Sequence, residues 1–481
     1  MGWTIFEIRG FRGLMQNRRM RCRRVVLGLL VGWTLCLHAE AQKSLNLDEA
    51  VALARKQNPE ILIARKQLEA ARGGIVEAKA GYFPSVLSSG LLRQRQRQEL
   101  SRLREDDYNA SLRVVQSVYT GGATVGRMAI ARLNAEKRAL ELTAIEQRVV
   151  MDLRVAYYEL LLNRAKIGVR EQAVRVMREE LKAQEERLVA GTVGELNVRR
   201  AEVSLANEQP ELYEAQTRVQ NSNLRINELC GVTANPRSRA ARFEPTGQLI
   251  YRPRHPDLTE SLLHARAVRA EIKARELDVA IEEQQLIVDR SELRPRVEVF
   301  TGYEVYSERD PEVGSQFNHG YVVGLNAGWH IFDGFATRGR MQATRARREA
   351  AAEALQAARL SVESEVRSAF FDLQQADRVL ESETKNVESA SESLELARGN
   401  LGAGLGTQLD VLQAAADVTQ VRTTRLSAIF LHNVALARLA RATGREPEEL
   451  GFRSRAATEE DAKRHPQMFD VARPPQGLNT R

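Results

Sequence analysis

The stretch LDEAVALARKQNPEI, residues 47–61, decides the fold because a copy of it occurs later in the chain. The segment LTESLLHARAVRAEI, residues 258–272, repeats it at an offset of 211 residues. The positions that agree are Leu47 with Leu258, Glu49 with Glu260, Ala54 with Ala265, Glu60 with Glu271, Ile61 with Ile272 and, further on, Pro84 with Pro295. A constant offset indicates a duplicated supersecondary unit whose two copies pack as equivalent partners.

The repeat continues at an offset of 213 residues. Residues Gly121, Arg154, Ala156, Gly191, Leu196, Val198 and Gly231 recur as Gly334, Arg367, Ala369, Gly404, Leu409, Val411 and Gly444. Two residues were therefore gained between Pro295 and Gly334. We assign the first copy to residues 42–231 and the second to residues 257–444, with a connector at 232–256 that contains Pro236, Pro245 and Pro253.

The first 41 residues have the layout of a secretory signal peptide. Five arginines between Arg18 and Arg24 precede the apolar run Val25 to Leu37, which the triplet Ala39-Glu40-Ala41 follows. The run of 13 residues reaches only about 20 Å as a helix, too short for a ~30 Å hydrocarbon core, so we expect cleavage after Ala41 rather than a membrane anchor. Met1, Met15 and Met20 are alternative starts.

Charge and cysteine content exclude several classes of protein. The net charge of +8 includes seven basic and two acidic residues before residue 42, which leaves about +3 on the mature chain. No basic face with interleaved aromatic residues is present, so nucleic acid is not an expected partner. Cys230 is the only cysteine after cleavage, so no intramolecular disulfide forms. We find no catalytic motif, metal-ligand spacing or cofactor motif and expect no enzyme.

Each copy opens with alanine-rich helix and continues as a strand hairpin, about 85–119 and about 296–332. Tyr108, Ala110, Leu112 and Val114 alternate with polar residues in the first hairpin; Val297, Val299, Thr301, Tyr303, Val305, Tyr321, Val323, Leu325, Ala327, Trp329 and Ile331 do so in the second. An apolar face indicates a core in a soluble sandwich and a lipid surface in an outer-membrane barrel. Four strands are too few to close a barrel, so closure requires several chains.

A very long helical hairpin follows each strand hairpin, over residues 123–230 and 336–443. No proline interrupts Ala123 to Ala190, and Leu142, Ile145, Val149 and Leu153 recur at steps of three and four. A single helix of that length reaches roughly 100 Å and needs a partner helix along it. Glycines break the hairpins at residues 191–194 and 402–406. The residues from 445 to 481 are predicted to be a polar tail.

These segments together resemble the outer-membrane efflux, or TolC-like, family. The residues that carry the resemblance are Leu47 to Ala54, Asn58-Pro59-Glu60, Gly81 to Pro84, Tyr119 to Gly122, Phe332-Asp333-Gly334, Ala403-Gly404 and Leu409 to Leu412. The resemblance covers about residues 45–444. It implies a mostly helical α+β fold in which three chains build a 12-stranded outer-membrane β-barrel and a periplasmic tunnel of coiled helices.

The resemblance also implies a function and partners. A homotrimer of this kind is the exit duct of a tripartite efflux or type I secretion system. It conducts substrates outward with an inner-membrane pump of the RND or ABC type and a periplasmic adaptor, and it lies in the outer-membrane lipid bilayer. Neither the transported substrate nor the pump class follows from the residues.

The resemblance assigns roles to three groups of residues. Asp410 matches an aspartate of an acidic pore ring. Gln413 stands where some members have a second aspartate, and Asn197 takes the place of Asp410 in the first copy, so a weaker ring is expected. Gly191, Thr192, Gly404 and Leu405 match adaptor-docking tips; Tyr303, Tyr321 and Trp329 are candidate membrane-interface aromatics. A solvated helix-start position for Asp410 near the amide dipole, a simple chain reversal at the glycines and ordinary packing of the aromatics are the alternatives.

Two other functions are considered. A periplasmic adaptor also has a long helical hairpin, but it carries one hairpin flanked by lipoyl-like β segments, whereas this chain has two hairpins. A secreted coiled-coil scaffold leaves the two aromatic strand hairpins unexplained.

Overall fold

The structure is a computed structural model that describes residues 43–94, 106–232, 243–307 and 317–450. The architecture below belongs to one compact unit that begins at Ser44. The predicted signal peptide and the tail beyond residue 450 lie outside the described residues, as do the tips of both strand hairpins and part of the connector.

The two copies contain the same elements in the same order. The first comprises α1 (Leu47–Gln57), α2 (Pro59–Ala80), β2 (Ser85–Gln94), β3 (Asp106–Tyr119), α3 (Ala123–Val189) and α4 (Glu195–Leu229), preceded by the short strand β1 (Lys43–Leu45). The second comprises α5 (Leu258–Val268), α6 (Ala270–Ser291), β5 (Arg296–Ser307), β6 (Phe317–Gly328), α7 (Ala336–Gly402) and α8 (Gln408–Thr443). Strand β4 (Phe243–Pro245) lies in the connector.

Matching helices have matching lengths, which confirms the duplication. Helices α1 and α5 have 11 residues each, α2 and α6 have 22, and α3 and α7 have 67. Left-handed glycines also recur: Gly191 and Gly404 have φ values of 71° and 74°, and Gly231 and Gly444 have 68° and 74°. Each ends a helix where a residue with a side chain would be strained.

Local sequence explains the short helices. Asn46 and Glu49 form a reciprocal capping box at the start of α1. Asn58 ends α1 and then caps α2 by accepting hydrogen bonds from the Glu60 and Ile61 amides, with Pro59 at the first helical position. The chain at Asn58-Pro59 thus ends one helix and starts the next.

Each copy has its own apolar core where its short helices meet its long hairpin. The first core contains Leu153, Leu160 and Ile226, and the second contains Val366, Leu373 and Leu439, all fully or almost fully buried. Leu153 and Leu160 are equivalent to Val366 and Leu373 at the offset of 213. The predicted apolar stripe of α3 and α7 therefore forms the packing seam.

The four long strands form one antiparallel sheet in the order β2-β3-β5-β6. The two hairpins join through β3 and β5, where Leu112 lies opposite Tyr303. The β2 and β6 strands are its edges, and strands β1 and β4 pair separately.

The strand register separates an apolar face from a polar one. Leu112, Tyr303 and Tyr321 face one side, and their neighbours Arg113 and Glu304 face the other. Large side chains on the apolar face remain exposed in the single chain, among them Val86, Leu92, Val323 and Leu325. The sequence alternation is therefore present in the fold.

Two bounds differ from the sequence predictions. Strand β6 ends at Gly328 rather than continuing to Ile331, because its partner β5 begins at Arg296, which lies opposite Gly328. Residues 445–450, assigned above to the tail, pack onto the helices: Leu450 is 1 % exposed, and Arg445 and Glu446 pair with Glu260 and Arg154.

In the described part of the chain, every helix is too polar or too short to cross a lipid bilayer.

Candidate functional sites at the helical tips and the sheet

The first tip reverses the chain through a Schellman motif. The Thr192 amide donates to the Arg187 carbonyl at 2.9 Å, and the Gly191 amide donates to the Leu188 carbonyl at 2.9 Å. The Thr192 hydroxyl adds a further bond to the Arg187 carbonyl at 3.0 Å. Gly191 and Thr192 thus satisfy the last carbonyls of α3 and fix the direction of α4.

The second tip uses the same motif with one extra bond. The Leu405 and Gly406 amides both donate to the Asn400 carbonyl, at 2.8 and 3.1 Å, and Gly404 supplies the left-handed turn. The Leu405 side chain is 82 % exposed. An ideal Cβ added at Gly191 or Gly404 would meet no atom within 4 Å, so the requirement for glycine at both tips comes from the backbone angle.

Asp410 caps the start of α8. Its carboxylate accepts hydrogen bonds from the Thr407 amide and hydroxyl, both at 2.8 Å, and the Thr407 hydroxyl accepts from the Asp410 amide. The Thr407 amide, followed by its hydroxyl, lowers the pKa of the exposed Asp410 carboxyl. The alternative, a solvated residue at the start of a helix, therefore also describes Asp410 in this structure. Its carboxylate stays ionised and open to solvent.

The other two predicted gate residues have different partners. Gln413 donates to the Asp417 carboxylate at 3.0 Å. The Asn197 carbonyl accepts a hydrogen bond of 3.1 Å from the Gln408 side chain. The structure thus brings Asn197 and the first turn of α8 together, and none of these bonds joins Asp410 to Asn197 or Gln413.

Two contacts between the hairpins were missed in the sequence. Gln408 is almost fully buried, and it links α8 to the first tip. Further along the helices, the Arg422 guanidinium donates to the Gln172 side-chain carbonyl at 3.0 Å. No sequence pattern indicates such pairs, because their partners lie more than 200 residues apart; the Gln413–Asp417 contact, four residues apart on one helix, was accessible from spacing.

Large apolar side chains cluster in sequence around both tips and remain exposed. Val189 and Leu196 flank the first turn, and Leu405 and Leu409 lie at the second. Both chain reversals thus have exposed aliphatic side chains beside them.

The predicted interface aromatics lie at two levels of the sheet. Tyr303 and Tyr321 are opposite each other on β5 and β6, with ring centroids 5.2 Å apart in an edge-to-face arrangement. Trp329 follows the end of β6 and donates its indole N–H to the Leu293 carbonyl at 3.1 Å. At the strand rise of ~3.3 Å per residue, Tyr321 and Trp329 are separated by about 26 Å.

The polar face of the sheet carries an ion pair between Arg113 and Glu304. The Arg113 guanidinium also lies 5.4 Å from the centroid of the Phe300 ring. Phe300 covers Gly324, where an ideal Cβ would come within 2.4 Å of the ring. This face thus carries paired charges, and the space above Gly324 is filled by the Phe300 ring.

The chain matches the outer membrane efflux protein family over residues 50–232 and 262–445. These two segments coincide with the two structural copies, so the match covers both.

Individual relatives agree with this match. The chain is 25 % identical to Protein CyaE of Bordetella pertussis over 321 residues, 65 % of each chain. It is 27 % identical to the cobalt-zinc-cadmium resistance protein CzcC of Cupriavidus metallidurans over 306 residues, 61 % of this chain and 65 % of that one. The chain therefore spans slightly less than two thirds of the length of these two curated relatives.

The fold agrees with that of a solved outer-membrane channel. The CmeC outer membrane channel of Campylobacter jejuni superposes with a TM-score of 0.71 at 15 % identity, over 88 % of this chain and 90 % of that one. The family match over both copies, together with this shared fold, shows that the chain belongs to the outer membrane efflux protein family.

Proposed function

We propose that the protein is the outer-membrane exit duct of a tripartite efflux or type I secretion system. The observation that carries the proposal is the four-stranded sheet, which has an exposed apolar face, a polar face and two unpaired edges, and which continues directly into helices of 67 residues. An isolated soluble chain gains nothing from such a sheet.

Assembly of three chains would pair the two edges of the sheet and give its apolar face a lipid surface to contact. Pairing edge β2 of one copy with edge β6 of the next closes a ring, and three copies give a barrel of twelve strands, within the range of outer-membrane barrels. The apolar face then contacts the outer-membrane lipid, and the face with Arg113 and Glu304 lines the lumen. The signal peptide delivers the chain to the periplasm.

The two aromatic levels support this placement in a membrane. A strand tilted by about 40° reduces the 26 Å between Tyr321 and Trp329 to about 20 Å along the membrane normal, comparable with the ~25 Å apolar band of such barrels. Tyr303 and Tyr321 then lie near one interface and Trp329 near the other.

The tips are the proposed contact with a periplasmic adaptor, through which an inner-membrane pump of the RND or ABC type is coupled. Gly191, Thr192, Gly404 and Leu405 set the shape of that surface, and the exposed Val189 and Leu405 side chains supply its apolar contacts. The proposed charged gate is Asp410, together with Gln413 one turn further along α8 and Asn197 at the equivalent position of the first copy. In a trimer, three copies of Asp410 form a ring.

The experiment is a size measurement of the detergent-extracted protein followed by single-channel recording in a planar bilayer. We expect a trimer with a low, cation-biased conductance that rises in Asp410→Ala. A soluble monomer or dimer without conductance contradicts the duct and favours the coiled-coil scaffold or the periplasmic adaptor.

Asp410→Asn separates the charge of this residue from its part in the capping box, because the asparagine side-chain oxygen can still accept from the Thr407 amide. A change in cation bias in both variants supports the gate. A change in Asp410→Ala alone assigns the effect to a loosened α8, and Asp417→Asn, two turns further along α8, is the matched charge control.

A further inference from the structure

The connector between the two copies is fastened to the middle of the long helices. The Tyr157 hydroxyl on α3 donates to the Thr246 carbonyl at 2.5 Å, and the side-chain amide of Asn433 on α8 donates to the Ile250 carbonyl at 3.2 Å. The third contact is His432, whose Nε2 lies 3.0 Å from the Arg252 carbonyl oxygen. Side chains on the helices thus hold backbone carbonyls of an otherwise irregular segment.

His432 is enclosed on both sides of its ring. Its side chain is fully buried, and its Nδ1 lies 2.7 Å from an Asp377 carboxylate oxygen on α7. Tyr251 of the connector packs edge-on against the imidazole at 4.6 Å between centroids and donates its hydroxyl to the same carboxylate at 3.2 Å. Burial, followed by the negative charge of Asp377, raises the pKa of Tyr251, so its hydroxyl remains a donor.

These two contacts require one proton more than a neutral imidazole and a carboxylate contain. A backbone carbonyl only accepts hydrogen bonds, so Nε2 donates to Arg252; an ionised carboxylate also only accepts, so Nδ1 donates as well. Both contacts are hydrogen bonds only when the pair of His432 and Asp377 carries one shared proton. Without it, one ring nitrogen presents a lone pair to an oxygen.

The arrangement belongs to one copy only and is not required by the fold. At the offset of 213, the equivalents of Asp377, His432 and Asn433 are Arg164, Val219 and Gln220. The first copy builds the same helical hairpin without a buried histidine. The ionisable pair is therefore associated with the connector, which His432 and Asp377 both contact.

Other charged groups near the pair line a cleft of about 620 Å³. Its lining includes, from α7, Arg378, Glu381 and Lys385; from α8, Arg425; and from the connector, His255. Asp377 also lines this cleft, so protons reach the carboxylate from solvent. Beneath the connector, Leu249 and Tyr251 cover the apolar cluster of Leu380, Ala428 and Ile429.

We propose that His432 and Asp377 form a proton-dependent clip that fastens the connector to α7 and α8. At low pH the shared proton satisfies both acceptors. As pH rises, the pair loses that proton, the bond to Arg252 or to Asp377 becomes a repulsive contact, and the connector around residues 249–252 opens from the Leu380 cluster.

Hydrogen exchange of the full-length protein in detergent tests the clip without relying on channel activity. We expect the protection factors of connector amides 246–255 to fall by about tenfold or more between about pH 5.5 and pH 8.5, while those of α3 stay constant. Protection of the connector that is equal at the two pH values overturns the proposal.

Two variants and a control make the test specific. Asp377→Asn can donate to the Nδ1 of a neutral imidazole, so it should keep the connector protected at both pH values; His432→Gln should leave it weakly protected at both. His264→Gln is the control, because His264 binds a single carbonyl, that of Thr443 at 2.9 Å. A pH dependence that persists in Asp377→Asn also overturns the proposal.

Discussion

Asn58 and Arg269 occupy equivalent positions in the two copies, and each donates to the end of its own hairpin. The Asn58 side chain reaches the Leu229 carbonyl at 2.8 Å, and the Arg269 guanidinium reaches the Ala442 carbonyl at 3.0 Å. Leu229 and Ala442 are themselves equivalent at the offset of 213. The duplication has thus preserved a contact between the short and long helices while its chemistry changed from a neutral amide to a cation.

The cation carries a larger stability effect than the amide. Arg269 is almost fully buried and pairs with Glu271 and Glu365 at 3.0 and 2.9 Å. Arg269→Ala leaves both carboxylates without this partner, and we expect a loss of about 3 kcal/mol in the free energy of unfolding. Asn58→Ala removes a cap and one hydrogen bond, about 1–2 kcal/mol. Denaturant unfolding followed by circular dichroism compares the two variants. An equal loss in the free energy of unfolding would contradict the larger role assigned to Arg269 and its two glutamates.

Gly231 and Gly444 form a second matched pair. An alanine Cβ at Gly231 would lie 2.3 Å from the Gln57 carbonyl oxygen, whereas at Gly444 the nearest atom is 3.5 Å away. Both substitutions bear the left-handed strain of about 1–2 kcal/mol, and only Gly231→Ala adds a backbone clash. We therefore expect the thermal midpoint to fall more in Gly231→Ala. Similar midpoints in the two variants would mean that α1 moves away without cost.

Acid should loosen the start of α8. Because contacts with Thr407 lower the pKa of Asp410 in the folded chain, the capping contribution is complete above the ordinary aspartate value near 4 and is lost as pH falls through the lower folded value. Hydrogen exchange of residues 405–412 should accelerate in that acidic range. Asp410→Asn should remove the step, and Asp417→Asn, one helix turn beyond Gln413, should retain it.

Cys230 should be an unreactive thiol. It is fully buried beneath α1, and burial raises its pKa to about 11. At pH 8 the thiolate fraction is very small, so we expect no maleimide labelling of the folded protein and complete labelling in denaturant. Labelling of the folded protein would indicate that the first core opens.

Trp329 provides a single-residue probe of the bilayer. The other two tryptophans, Trp3 and Trp33, lie within the predicted signal peptide, so cleavage leaves Trp329 alone. In vesicles we expect its fluorescence to be quenched more by a nitroxide near the headgroups than by one at the end of the acyl chain. Emission that neither quencher affects would place this end of the sheet outside the membrane, and Trp329→Phe supplies the background.

Matched residues at a constant offset predicted the two copies. Sequence periodicity predicted the long helices and the two faces of the sheet, because helix and strand periodicities are local patterns. The end of β6 was predicted three residues too late, since alternation continues to Ile331 whereas pairing stops where β5 begins. The pore-ring role of Asp410 was predicted from the family resemblance, with a solvated helix-start residue as the alternative. The contacts of Gln408 and His432 were not predicted, because each joins segments roughly 180–210 residues apart, and a lone buried histidine has no spacing to recognise.

The equal lengths of α3 and α7, 67 residues each, restrict how such a chain can evolve. Seven residues added to one helix alone would carry its tip about 10 Å beyond the other, and any smaller insertion would also rotate the apolar seam away from its partner. A change in reach therefore has to occur in both copies, and on both limbs of each hairpin, in steps that restore the helical phase. The distance that the two helical hairpins extend must therefore change together, although each hairpin is encoded by a separate part of the sequence.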